Sequence, residues 1–196
     1  MKGAALKKFL KKGKSLYLMD NDGLQWVSAR SAAYPLDGYP RMDEESLLTV
    51  LEIPEGKREG YHVLMMPRPN DMLAELMQDM MSDEGANVRL GGITITAAEA
   101  GSYKPAYTPD GVQFVEEEAL RPLADVLDKC QLVYRNTGKM GAIVVMLGMM
   151  TVGVLMCVNG WADVQVQTEL RAAAQAAEQS GQGSSQGEQM KMEEGV

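Results

Sequence analysis

The residues best suited to chemistry in this chain are carboxylates that recur at a helical spacing. Asp71, Glu75, Asp79 and Asp83 lie four residues apart, and Glu84 follows directly. On a helix this spacing places the side chains along one ridge, roughly 6 Å apart. No Lys or Arg occurs between Arg68 and Arg89 to neutralise them. Unpaired carboxylates near the repeat of a phosphate backbone would imitate nucleic acid for a basic partner.

Two other interpretations of this carboxylate row stay open. It is an ordinary solvated face, or it binds a metal ion with the help of ligands from elsewhere, since carboxylates one turn apart converge poorly on a cation. The helix that must position the row is predicted by apolar residues three and four apart between Met72 and Met81, and Gly85 ends the pattern.

A second group of acids suggests an enzyme. Metal-dependent phosphoryl transfer would use Asp20 and Asp22 with Asp43 or Glu44. Such chemistry needs carboxylates that converge from separate elements, which a sequence does not show. The alternative is structural, because Asp22-Gly23 between two apolar runs predicts a hairpin turn.

His62, Cys130 and Cys157 are the other candidates for metal binding or nucleophilic attack. None of them has a second His or Cys at the spacing of a zinc site or a catalytic triad. Two cysteines also exclude a disulfide framework. We therefore predict no catalytic residue, no metal site and no cofactor.

Charge is distributed unevenly along the chain. Over 196 residues, 27 acidic and 19 basic side chains give a net charge of −8, which argues against general binding to phosphate backbones. Residues 1–14 carry six lysines and no acid, so the remainder carries a charge of −14. This basic arm predicts an amphipathic helix with Leu6, Phe9 and Leu10 on one side. It would contact a membrane surface or nucleic acid, fray in solvent, or dock on the protein's own acidic surface.

The hydrophobic patterns predict an α+β fold with short antiparallel strands, about three packed helices and a late buried β-hairpin. A single globular domain is expected at 15–165, followed at 166–196 by a tail that is first helical and then flexible, rich in Ala, Gln, Gly and Ser. The predicted elements are a hairpin around Asp22-Gly23, an irregular segment at 31–42, a short helix capped by Asp43, a buried strand at 61–66, a strand-like segment at 88–96, a loop at 97–111, a short strand at 112–115 and a helix at 121–132.

Residues 140–158 are nineteen successive residues without a charge. This length is sufficient for a transmembrane helix. Seven of the nineteen are Val, Ile or Thr, and Gly148 lies near the centre, where two strands would need a turn. We therefore favour a buried hairpin, with the membrane span as the alternative.

The run LYLMDNDGLQWVS, followed by AAYPLDGYPRMDEESLLTVLEIPEGKRE, resembles the opening of small accessory proteins from phages and integrative elements of Gram-positive bacteria. That group includes inhibitors of RNA-guided CRISPR nucleases, the anti-CRISPR proteins. The resemblance covers residues 15–60, with the sequence PLADV at 122–126 and the late apolar segment as further matches. It implies a cytoplasmic protein of the host cell, and it assigns no catalytic residue.

Three classes of function follow from these observations. The first is a non-enzymatic protein that binds and inhibits a basic host protein, most concretely an anti-CRISPR acting on an RNA-guided nuclease or its guide complex. A positively charged nucleic-acid channel is the natural target of a carboxylate row. The second is a membrane-anchored component of a phage or conjugative apparatus with a span at 140–158. The third is the enzyme considered above. Self-association of the chain into a homo-oligomer is compatible with all three classes.

Overall fold

The computed structural model of the chain describes residues 3–78, 87–97, 101–138, 140–158 and 168–177. The strands of this part, in chain order, are β1 (Ser15–Asn21), β2 (Leu24–Ala29), β3 (Ala32–Pro35), β4 (His62–Met66), β5 (Arg89–Leu90), β6 (Ile95–Ala97), β7 (Gly101–Thr108), β8 (Gly111–Glu116), β9 (Gln131–Asn136), β10 (Gly141–Leu147) and β11 (Met150–Met156). The helices are α1 (Gly3–Lys12), α2 (Glu44–Val50), α3 (Glu55–Arg58), α4 (Asp71–Met77) and α5 (Glu117–Leu120), and residues 168–177 are also helical.

Seven strands form one sheet in the order β4-β1-β2-β3-β11-β10-β9. Neighbouring strands are antiparallel, except that β1 and β4 run parallel. The other four strands form a smaller antiparallel sheet around β7. The predicted α+β class is confirmed, although the main sheet is larger than a set of short antiparallel strands suggests.

Side chains of the main sheet alternate between two covered faces. One face packs against α1, α2 and the smaller sheet, and its core includes Leu18, Val27, Tyr34, Ile143 and Leu155. The opposite face, called the α4 face from here on, packs against α4 through Met19, Trp26, Ala33, Ala142 and Val154. Because both faces are covered, the central strands have nearly continuous apolar sequences.

The amphipathic helix predicted near the N-terminus is confirmed as α1. Its three apolar residues are buried in the larger core: Leu6, Phe9 and Leu10. Three of its lysines pair with acids elsewhere in the chain: Lys7 and Lys11 with Glu52, and Lys12 with Glu118. Of the roles considered for the basic arm, the structure therefore matches docking on the protein's own acidic groups.

Both predicted hairpins are confirmed. Asp22 and Gly23 join β1 to β2, and their φ values of 53° and 85° fit a type I′ turn. Gly148 and Met149 join β10 to β11; Gly148 has a φ of 63° and occupies the position that a type II′ turn reserves for glycine. The interpretation of 140–158 as a membrane-spanning helix is wrong, because this segment forms two paired strands of the main sheet. Among the helices described, none combines the length and the apolar character that a bilayer crossing requires.

The helix predicted at 121–132 is wrong. In its place are two 3₁₀ turns, Arg121–Leu123 and Leu127–Lys129, and the start of β9. β9 pairs with β10, and Val133 of β9 packs against Val144 and Met146. A buried strand such as β10 needs hydrogen-bonding partners on both sides, and this requirement overrides a local helical pattern.

The loop predicted at 97–111 is also wrong, because it contains β7. Pro105 lies inside this strand, between the residues that pair with β5 and those that pair with β6. On that side the Pro105 carbonyl accepts a hydrogen bond from the Gly91 N–H at 2.7 Å, and no ladder bond requires the N–H that proline lacks. The irregular segment at 31–42 likewise contains β3, and the strand-like segment at 88–96 divides into β5 and β6.

Burial was predicted less well at the edges of the main sheet. The strand expected at 61–66 exists as β4, but it is an edge strand, with Leu64 56% and Met65 51% exposed.

The helix capped by Asp43 is confirmed as α2, and the Asp43 carboxylate accepts a hydrogen bond from the Ser46 N–H at 2.9 Å. The later part of the predicted tail, at 178–196, lies outside the described residues, and the domain boundaries stay a prediction.

Candidate functional site

α4 presents the first two carboxylates of the predicted row to solvent. Asn70 caps the helix, because its side-chain oxygen accepts a hydrogen bond from the Leu73 N–H at 2.9 Å. The buried side of the helix consists of Leu73, Leu76 and Met77. Asp71 and Glu75 consequently lie one turn apart on the exposed side.

α4 is shorter than the helix that the sequence predicts up to Gly85. Gln78 leaves the helical conformation with a ψ of 146°. The Arg135 guanidinium donates hydrogen bonds to the carbonyl oxygens of Leu76 and Gln78, at 3.0 and 2.7 Å. The Thr151 hydroxyl donates to the same Gln78 carbonyl at 2.7 Å. Contacts from β9 and β11 therefore satisfy carbonyls at the end of the helix, and tertiary structure ends it where the local pattern would continue.

Within the described residues, no Lys or Arg lies within ion-pairing distance of the Asp71 or Glu75 carboxylate. The other predicted partner-binding residues, Asp79, Asp83 and Glu84, lie outside the described residues. The structure therefore places two members of the row on the surface, and the partner-binding role of all five stays a prediction.

Four other acids differ from the α4 pair because each has a basic partner. The pairs are Asp20 with Arg41, Glu52 with Lys7 and Lys11, Glu116 with Arg30, and Glu118 with Lys12. The hydrogen bond from Arg41 is the main reason that the pKa of Asp20 is lowered, and the bond from Lys12 lowers the pKa of Glu118 in the same way. The α4 carboxylates, by contrast, can still pair with a cation from another molecule.

A pocket of about 470 Å³ opens on the α4 face beside the end of α4. It lies between the β1–β2 turn, the segment after β3 and the β10–β11 hairpin. Its apolar lining includes Trp26, which is only 2% exposed, together with Met77 and Met150. Asp22 and Asp37 supply two carboxylates, and no described Lys or Arg lines it. We call this site the Trp26 pocket.

Local structure positions the two carboxylates of the Trp26 pocket. Asp22 occupies the first central position of the type I′ turn. Asp37 belongs to the segment after β3, which the buried side chain of Gln25 ties to β2. The Gln25 amide donates to the Met42 carbonyl and accepts from the Met42 N–H, both at 2.8 Å. Both rims of the pocket are therefore anchored to β2.

The acids of the enzyme hypothesis do not come together at one site. Asp20 pairs with Arg41 at 2.6 Å, and Asp22 lines the Trp26 pocket. Asp43 caps α2, and it lines a different surface hollow with Glu44. In the part of the chain that the structure describes, no three His, Cys, Asp or Glu side chains are grouped so that they could hold a metal ion.

The remaining candidates from the sequence lie apart from these acids. His62 is exposed on the edge strand β4. Cys130 is half-buried and Cys157 is buried. Burial raises the pKa of both thiols, that of Cys157 to about 12. A thiol with a raised pKa is a weak nucleophile near neutral pH, because the thiolate is the reactive form.

Comparison with known proteins adds no assignment. No protein-family model, no curated protein and no solved structure matches this chain. The resemblance over residues 15–60 therefore stays an expectation about function.

Proposed function

We propose that this chain is a non-enzymatic protein of a phage or other mobile genetic element that binds and inhibits a nucleic-acid-handling protein of its bacterial host. The most concrete target is an RNA-guided nuclease or its guide complex, which makes the chain an anti-CRISPR protein acting in the host cytoplasm. The proposal combines the resemblance over residues 15–60 with the acidic surface of α4.

The observation that carries the proposal is the exposed pair of Asp71 and Glu75. Their Cβ atoms lie one helical turn apart, roughly 6 Å, a separation close to the spacing of phosphates along a nucleic-acid strand. Neither has a described basic partner, whereas four other acids do. Such a pair fits a channel whose Lys and Arg side chains normally hold a nucleic-acid backbone, because that channel attracts any suitably spaced negative charge.

The proposal is tested by a cleavage assay with a panel of purified RNA-guided nucleases. The full-length chain should inhibit at least one of them. The double variant Asp71→Lys with Glu75→Lys should need at least about tenfold more protein for half-inhibition, because attraction becomes repulsion at the contact. Extending the reversal to Asp79 and Asp83 tests the remainder of the predicted row.

A matched control separates this surface from net charge. The double variant Glu55→Lys with Asp128→Lys makes the same change in charge at two other exposed acids. It should inhibit like the unmodified chain. Equal inhibition by the α4 variant would show that the row is not the contact surface, and no inhibition of any nuclease in the panel would reject the proposed target.

A further inference from the structure

We propose that the Trp26 pocket binds an arginine side chain, together with the adjacent main-chain carbonyl, of a partner protein. The inference rests on the proposed function, because that function supplies a basic protein as the partner. It specifies one contact between this chain and that partner, and a short peptide can be used to measure this contact without the whole partner protein.

The carboxylates of the pocket select a cation. Asp22 and Asp37 are both exposed, and neither side chain forms an ion pair or a hydrogen bond with a described residue. The described lining carries these two negative charges and no positive one, so an anion would be repelled. A guanidinium group donates several hydrogen bonds in a planar arrangement that fits carboxylates.

The apolar lining favours a long side chain over a small ion. Trp26 and Met77 are each 2% exposed, and Met150 is 60% exposed at the opening. Arginine would place its methylene groups on the accessible apolar part of this lining and its cation at the two carboxylates. The volume of about 470 Å³ falls in the range of ligand pockets.

The indole nitrogen of Trp26 selects a hydrogen-bond acceptor beside that cation. Trp26 is 2% exposed, and its indole N–H makes no hydrogen bond with a described residue. Every fully inaccessible side-chain nitrogen and oxygen of the described residues has a partner, so this nitrogen reaches solvent, and Trp26 borders solvent at the pocket. A main-chain carbonyl next to the arginine would accept a hydrogen bond from this N–H in place of water.

The experiment follows the Trp26 indole N–H resonance of the ¹⁵N-labelled full-length chain by NMR, assigned with a Trp161→Phe variant. The probe is the acetylated, amidated tripeptide Gly-Arg-Gly. Its citrulline analogue keeps the shape and removes the charge, and its lysine analogue keeps the charge and removes the planar group. We expect saturable binding of the arginine peptide at millimolar concentration, and about tenfold weaker binding of the citrulline peptide.

Variants test the assigned residues directly. Asp22→Asn retains a residue that a type I′ turn favours, and Asp37→Asn changes only charge, so neither should unfold the site. Each should weaken the arginine peptide about three- to tenfold. Glu55→Gln and Asp128→Asn are the controls, and they should leave the affinity unchanged.

The inference is overturned if the indole resonance does not move, if the lysine or citrulline peptide binds as well as arginine, or if the two Asn variants bind like the unmodified chain. The nuclease assay is a separate readout. Peptide binding without inhibition of any nuclease rejects the RNA-guided nuclease as the target and leaves the pocket assignment standing. Inhibition of a nuclease without peptide binding supports that target and rejects the pocket assignment.

Discussion

The Thr151 hydroxyl donates a hydrogen bond to the carbonyl oxygen of Gln78 at 2.7 Å, which joins β11 to the end of α4. Both residues also line the Trp26 pocket. The bond therefore links the two parts of the candidate site, since it holds the helix that carries the exposed carboxylates beside the pocket. Its loss should loosen α4 from the sheet without removing any charge.

We predict that Thr151→Val lowers the free energy of unfolding by about 1 kcal/mol, because the shape is kept while a partly buried hydrogen bond is lost and Arg135 still donates to the Gln78 carbonyl. Urea unfolding followed by circular dichroism measures the change. Thr94→Val, at an exposed position, is the control and should change stability much less. Equal effects of the two substitutions would show that the Thr151 hydroxyl has no special role in holding α4.

Features that depend on neighbouring residues were predicted from the sequence. The turn at Asp22-Gly23 and the cap at Asp43 each need only a few adjacent residues, so their chemistry can be recognised locally. β9 could not be recognised in this way, because its place beside β10 depends on pairs such as Leu132 opposite Val145. Local pattern favoured a helix there, and the pairing requirement of the sheet prevailed.

The candidate site likewise contains one part that neighbouring residues encode and one part that depends on the fold. Asp71 and Glu75 share a helix, and their spacing in the sequence predicts their common exposed side. The Trp26 pocket was not predicted, because its lining comes from turns and segments that the fold brings together, such as those of Asp22, Asp37 and Met150. Only the Asp22-Gly23 turn gave a signal in the sequence, and that signal indicated a hairpin rather than a pocket.

The turn between β10 and β11 depends on Gly148, whose φ of 63° lies in the left-handed region. We predict that Gly148→Ala lowers the free energy of unfolding by about 1–2 kcal/mol, because a Cβ is strained in this conformation. Gly56→Ala in α3 is the control: open space surrounds this position and its φ is not left-handed, so it should be neutral or slightly stabilising. Thermal unfolding compares the two, and a loss at both positions alike would contradict the assigned turn.

Tyr134 provides a pH-dependent test of the packing between β9 and β10. Burial is the main reason that its pKa is raised from 10.0 to about 12, and the neighbouring Cys157 thiol and Asp110 carboxylate raise it further. The folded chain therefore keeps a proton that the unfolded chain releases at lower pH. This contribution to stability is fully present below about pH 10 and is lost as pH rises towards 12.

We therefore predict that the stability difference between the unmodified chain and Tyr134→Phe, which has no proton to release, is constant below about pH 10. The unmodified chain should lose stability relative to Tyr134→Phe as the pH rises through the window between 10.0 and about 12, because burial disfavours the phenolate form in the folded chain only. Urea midpoints measured at intervals across this window give the curve. Tyr39→Phe, at a ring that is 38% exposed, is the control for the loss of a phenolic hydroxyl from the surface. If the stability of Tyr134→Phe runs parallel to that of the unmodified chain across this window, the folded protein does not hold the Tyr134 proton, and the partly buried environment assigned to this ring is wrong.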